Sequence, residues 1–123
     1  MGLSHSNLSQ PSDKALQLQQ AAAPYDAVIS AALQWAANWA LPDCQVARVE
    51  DAAHGYQWQL WHTREDTTRF VDVTVVVYFG ASPDKPKMFL VTFQTPSGWR
   101  RSIQCPLLRE DLFLAVRRAL TSN

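Results

Sequence analysis

The stretch Phe70 to Phe79, read FVDVTVVVYF, constrains this chain more than any other. At period two, Val71, Val73, Val75, Val77 and Phe79 share one face, while Phe70, Asp72, Thr74, Val76 and Tyr78 share the other. Successive side chains of a strand point to opposite sides, so one face is wholly apolar and the other mixed. Such a strand belongs in the middle of a sheet, with one face on a core and the other partly toward water. The rest of the chain must then cover the apolar face.

Four further strands are expected around it. Cys44 to Asp51 sets Gln45, Ala47 and Val49 against Val46, Arg48 and Glu50. Tyr56 to His62 sets Tyr56, Trp58 and Leu60 against Gln57, Gln59 and Trp61. Lys87 to Thr95 points Phe89, Val91 and Phe93 inward, and Trp99 to Cys105 follows after Pro96, Ser97 and Gly98. The connections are short and rich in Gly, Pro, Asp and Thr, which forces sequential strands to run antiparallel.

Tyr25 to Leu41 is the clearest helix. Its polar residues Asp26, Ser30, Gln34 and Asn38 recur every four positions, and nearly all else is apolar. A surface helix needs an apolar face only somewhat wider than 100°, so this helix must be covered on more than one side. We assign the stripe Val28, Ala32, Trp35 and Trp39 to the sheet. The stripe Ile29, Leu33, Ala36 and Ala40 is expected to meet a C-terminal helix, or the same helix of another subunit. Ile29 and Leu33 are thus the candidate oligomer contact. The C-terminal helix spans Leu107 to Leu120, with Leu108, Leu112, Val116 and Ala119 on its apolar side. Asp13 to Ala23 reads as a further helix capped by Ser12, ahead of Pro24.

The expected fold is α+β: a five-stranded antiparallel meander with an N-terminal and a C-terminal helix packed on one face. The alternative is a curved sheet wrapped around the Tyr25 helix, as in cystatin-like folds, a resemblance of element order alone. Residues 1 to 12 read as a flexible tail and 13 to 123 as one domain. With 123 residues, 47% of them hydrophobic, the chain can build one core.

Eleven basic and eleven acidic residues leave a net charge of zero, which argues against a dedicated binder of duplex nucleic acid. No segment is long and apolar enough to span a membrane, and the N-terminus lacks the pattern of a signal peptide. A cytoplasmic protein is expected. Cys44 and Cys105 fall at opposite ends and opposite edges of the meander, too far apart for a disulfide, so both should be free thiols.

Motifs for chemistry are sparse. Glu50, Asp51 and His54 have the spacing of metal ligands, but His54 and His62 lie at opposite ends of one strand, about 26 Å apart. The stretch therefore reads as a polar turn, and neither a metal site nor a cofactor is expected. His62 with Glu65 and Asp66 could form an acid–base pair, yet no activated nucleophile or oxyanion hole accompanies it, and no catalytic residue is assigned. There is no phosphate-binding glycine loop.

The sheet face turned away from the helices carries more information. Gln57, Gln59, Trp61, Asp72, Thr74, Tyr78, Gln94, Arg100 and Ser102 should lie on it, a mixed surface with aromatic and arginine anchors of the kind interfaces favour. The leading expectation is a small interaction module, homodimeric and without catalysis of its own: an adaptor, a chaperone-like binder or an inhibitor. A second is a small-ligand protein or enzyme with an apolar pocket lined by Trp35, Trp39, Tyr56, Trp58 and Phe93. A third is a binder of single-stranded nucleic acid, using Lys85 and Lys87, Arg100 and Arg101, or Arg117 and Arg118.

Overall fold

A computed structural model of the chain describes residues 13–40, 43–95 and 97–121. The tail expected over residues 1 to 12 lies outside them. Helix α1 (Asp13–Ala22) leads through one turn of 3-10 helix (Ala23–Tyr25) into α2 (Asp26–Ala40). Five strands follow: β1 (Gln45–Asp51), β2 (Gly55–Thr63), β3 (Arg69–Tyr78), β4 (Met88–Gln94) and β5 (Arg100–Cys105). Helix α3 (Arg109–Thr121) closes the described chain. The strands form one antiparallel sheet in the order β1-β2-β3-β4-β5, the expected meander.

One core joins the helices to the inner face of the sheet. Trp58, Leu60, Val73, Val75, Val77, Phe89 and Val91 from the strands meet Ile29, Leu33, Leu112 and Val116 from the helices, all essentially out of water. Helix α2 lies over β1 and β2, and α3 over β3 to β5. The cover is therefore shared between helices packed side by side. The proline at position 24 is the second residue of the 3-10 turn, within its first positions, where a missing N–H is tolerated.

Helix α1 crosses the start of β2 closely. A Cβ on Gly55 would lie 2.6 Å from the backbone carbon of Leu18, and Gly55 itself has φ +84°. Only glycine meets both demands at low cost.

Sequence expectations are corrected in two places, the first on α2. The stripe Ile29, Leu33 and Ala36 faces the core and is fully buried within one chain, while Trp35 and Trp39 are 38% and 50% exposed. The oligomer contact at Ile29 and Leu33 therefore falls away. The expected pocket is not formed either. Trp58 is sealed in the core beside Phe93, and Trp35 and Trp39 look outward, so these aromatics do not line one cavity.

The reason is partly rotational. Side chains four apart advance by about 40° around a helix, so Asp26 and Asn38 lie about 120° apart and do not mark one face. Asp26 points to the sheet, where its Oδ1 accepts a hydrogen bond of 2.8 Å from Trp58 Nε1. That bond satisfies the one polar atom of a fully buried tryptophan and fixes the helix with Ile29 and Leu33 inward.

The second correction concerns β3. Leu60 pairs with Val73, but Trp61 pairs with Val71, so Asp72 is an extra residue at a β-bulge. Beyond the bulge the alternation inverts. Val71 joins Trp61 on the outer face, and Phe70 pairs with His62 on the core side, their rings 5.4 Å apart.

Candidate functional site

Three regions of the structure bear on function. The first lies at one end of the sheet, where the bulge delivers Asp72. Cys44 immediately precedes β1, His62 is near the end of β2, and Asp72 interrupts β3. His62 Nδ1 lies 2.7 Å from Asp72 Oδ2, and the Cys44 thiol donates to the same oxygen at 3.4 Å. Side chains of His62 and Asp72 are 32% and 15% exposed, so the cluster is sheltered yet reachable. Burial first, then the charge and hydrogen bond of Asp72, push the Cys44 thiol up to about 12. The thiol is thus protonated at neutral pH, and it contacts the carboxylate rather than the imidazole. A Cys–His nucleophile needs the opposite arrangement.

The expected acid–base pairing of His62 with Glu65 and Asp66 does not form. His62 turns to Asp72, and Asp66 instead accepts from the hydroxyl and N–H of Thr68, bonds that hold its carboxyl below the usual carboxylate range. Asp51 likewise organises its own turn. Its Oδ1 accepts from the N–H groups of Ala53 and His54 at 2.8 and 3.3 Å.

The second region is the outer sheet face. Gln57, Gln59, Trp61 and Thr74 share it as expected, with Tyr78, Thr92, Gln94, Arg100 and Ser102. Its long polar side chains form a connected chain. Arg69 donates to Gln59 Oε1 (3.0 Å), Gln59 to Gln57 Oε1 (2.6 Å), and Gln57 to Asp51 Oδ2 (3.4 Å). The Arg69 guanidinium also lies 4.1 Å from the centre of the Trp61 ring. The Trp61 Nε1 beneath it is shut off from solvent without a hydrogen-bond partner. Between these groups, Val71, Thr74, Val76 and Leu90 floor a shallow hollow of about 260 Å³.

The third region is on the helical layer. Trp35 and Trp39 stack with ring centroids 5.8 Å apart and planes 3° from parallel. Phe113 of α3 packs 5.4 Å from Trp35, Arg117 reaches over Trp39, and Arg109 over Phe113. This surface has the Trp, Phe and Arg content typical of interface anchors. The basic pairs of the nucleic-acid reading stay dispersed over a loop, β5 and α3, apart from Arg101 and Arg118, which border one hollow beside β5.

Comparison with protein-family models, with curated proteins and with solved structures finds no match. Among the described residues, no helix is long and apolar enough to cross a membrane. Both cysteines are unpaired.

Sequence reasoning missed the Cys44–His62–Asp72 cluster because it sought ligands close in sequence. A signal was present. The turn after Asp51 pairs Asp51 with Gly55, and counting back along both strands brings Cys44 opposite His62. Asp72 could not be placed in the same way, because its position depends on the bulge.

Proposed function

We propose that this protein is a small interaction module, without catalysis of its own, that forms a homodimer through the outward face of α2. The observation that carries this reading is the stacked, half-exposed pair Trp35 and Trp39. A chain that can bury its aromatics elsewhere gains nothing from holding two tryptophans in water, and contiguous exposed apolar surface marks interaction sites. Ala27, Ala31, Trp35 and Trp39 form one row at spacings of four that slants about 40° per step around the helix, and all are exposed. Small residues occupy one half of this ridge and large ones the other. Two copies crossing antiparallel about a twofold axis would set each pair of tryptophans against the alanines of the other, a self-complementary contact. The zero net charge supports this, since copies do not repel. A cytoplasmic setting is part of the proposal, in keeping with two free thiols.

Light scattering across a dilution series tests it. The expected result is a dimer that dissociates on dilution, and a monomer for Ala31→Glu with its fold intact. A monomeric mass for the unaltered protein at every concentration would overturn the homodimer. The interaction role would then rest on the outer sheet face. There Val76 is only 6% exposed although none of the described helices covers it, and Gln57, Gln59, Gln94 and Arg100 stand as a polar frame around an apolar floor. That face suits a protein partner with a small apolar side chain for the hollow and polar groups for the frame.

A further inference from the structure

We propose that Cys44, His62 and Asp72 together bind one divalent ion of the zinc class, leaving a fourth coordination position open. The three side chains offer one sulfur, one nitrogen and one oxygen, all within 4.8 Å of one another. This donor set selects among metals. A thiolate and an imidazole suit zinc, cobalt and related transition ions, whereas magnesium and calcium take oxygen donors. In a tetrahedral site with metal–sulfur and metal–oxygen bonds of about 2.3 and 2.0 Å, sulfur and oxygen stand about 3.5 Å apart. The Cys44 Sγ to Asp72 Oδ2 distance is already 3.4 Å. The His62 to Asp72 contact of 2.7 Å is a hydrogen bond, and it must open by roughly half an ångström to the spacing that two light donors take around one ion.

The supporting structure favours the site. Each donor stands on or beside a strand of one sheet, and the three strands are adjacent. A bulge is otherwise an expense to the ladder, and here it turns the third donor toward the other two. The Asp72 carboxylate accepts from the thiol and the imidazole. The Asp43 carboxylate adds further negative potential at the sulfur. The groups that make the thiolate unfavourable in the metal-free protein are those that attract a cation. On binding, the metal–sulfur bond replaces the S–H bond and one proton leaves to solvent. The imidazole binds through Nδ1 in its neutral form, with its one proton on Nε2. Three protein ligands leave the last position for water or an exchangeable ligand.

Cobalt(II) titration of the reduced, metal-free protein tests the proposal. The expected result is a thiolate-to-cobalt charge-transfer band with the d–d spectrum of a four-coordinate ion, saturating at one ion per chain and displaced by zinc. Cys44→Ser keeps the hydrogen bond to Asp72, and with it the fold, but should lose the charge-transfer band. His62→Gln and Asp72→Asn should each weaken zinc at least about 100-fold, the upper range for losing even a supporting group. Cys105→Ala should behave as the unaltered protein. A titration without a charge-transfer band would overturn the site, as would a band that survives Cys44→Ser in protein shown by circular dichroism to be folded.

Discussion

On α2 the two tryptophans face away from the sheet, while the inner side is built of alanines with Ile29 and Leu33. The inner side is Ile29, Ala32, Leu33, Ala36 and Ala37, each at most 1% exposed. The outer side includes Trp35 and Trp39, the largest residues of the helix. The sheet explains the inversion. It brings Trp58, Phe89 and Phe93 to the same core, and a close-packed interior has room for large residues from one layer only where the other offers small ones. Alanines let the helix axis approach, and the Asp26 to Trp58 hydrogen bond holds the rotation. Bulk alone is therefore a poor guide to which side of an over-apolar helix is inside. The volume already supplied by the opposite layer decides.

Leu33→Asp attacks the inner side directly and carries the largest expected effect. Emptying a buried leucine site costs about 2–5 kcal/mol, and an unpaired buried carboxylate adds several more. Against a typical total stability of about 5–15 kcal/mol, the chain should not fold. Loss of the cooperative thermal transition in circular dichroism is the expected outcome. A folded variant with an unchanged melting temperature would reverse the assignment of the two sides.

The same exchange of bulk for close approach recurs where α1 meets β2. Gly55→Ala puts a Cβ into the backbone of Leu18 and Gln19 at 2.6 to 2.7 Å, at a φ of +84°. The backbone strain alone costs about 1–3 kcal/mol, and the clash adds to it. Urea denaturation should show a lower midpoint, and amide exchange should show α1 opening before the sheet. Loss of stability spread evenly over sheet and helix would mean that α1 is part of the same cooperative unit.

Asp26→Ala sharpens the rotational argument. It leaves the Trp58 Nε1–H buried without its acceptor, which costs about 1–3 kcal/mol. Trp58→Phe removes the donor too, so adding Asp26→Ala to a Trp58→Phe background should cost clearly less than in the unaltered protein. Additive effects in that double-mutant cycle would show that the bond does not set the helix.

Much of this was readable beforehand, for reasons that differ by element. The five strands, their order and the inward set Trp58, Leu60, Val73, Val75, Val77, Phe89, Val91 and Phe93 follow from period-two alternation, which one buried face enforces strongly. The rotation of α2 was not readable, because an almost wholly apolar helix carries no polar face to orient it and its polar row spirals. The bulge at Asp72 was not readable either, since alternation through FVDVTVVVYF looks unbroken while the pairing shifts beneath it. With the bulge went the inward turn of Phe70 and the meeting of Cys44, His62 and Asp72, which depends on three strands at once.

Trp39→Ala probes the outer side and should have the smallest effect on the folded chain. Trp39 is half exposed, and its contacts are one stacked ring and one arginine 5.6 Å from the ring centre. Such contacts are worth about 0.5–1.5 kcal/mol and 0.5–1 kcal/mol at exposed sites. The melting temperature, measured where the chain is monomeric, should therefore fall by only a few degrees, far less than for Leu33→Asp. The same substitution should shift self-association much more, because a tryptophan anchored against the partner copy is the kind of residue whose truncation costs 2 kcal/mol or more, about thirtyfold in affinity. The comparison between the two sides of α2 thus predicts a split: stability governed by the inner stripe, assembly by the outer. If Trp39→Ala lowered stability as much as an inner-stripe truncation and left the dilution behaviour unchanged, the outer tryptophans would be part of the core layer, and their exposure would have no role in assembly.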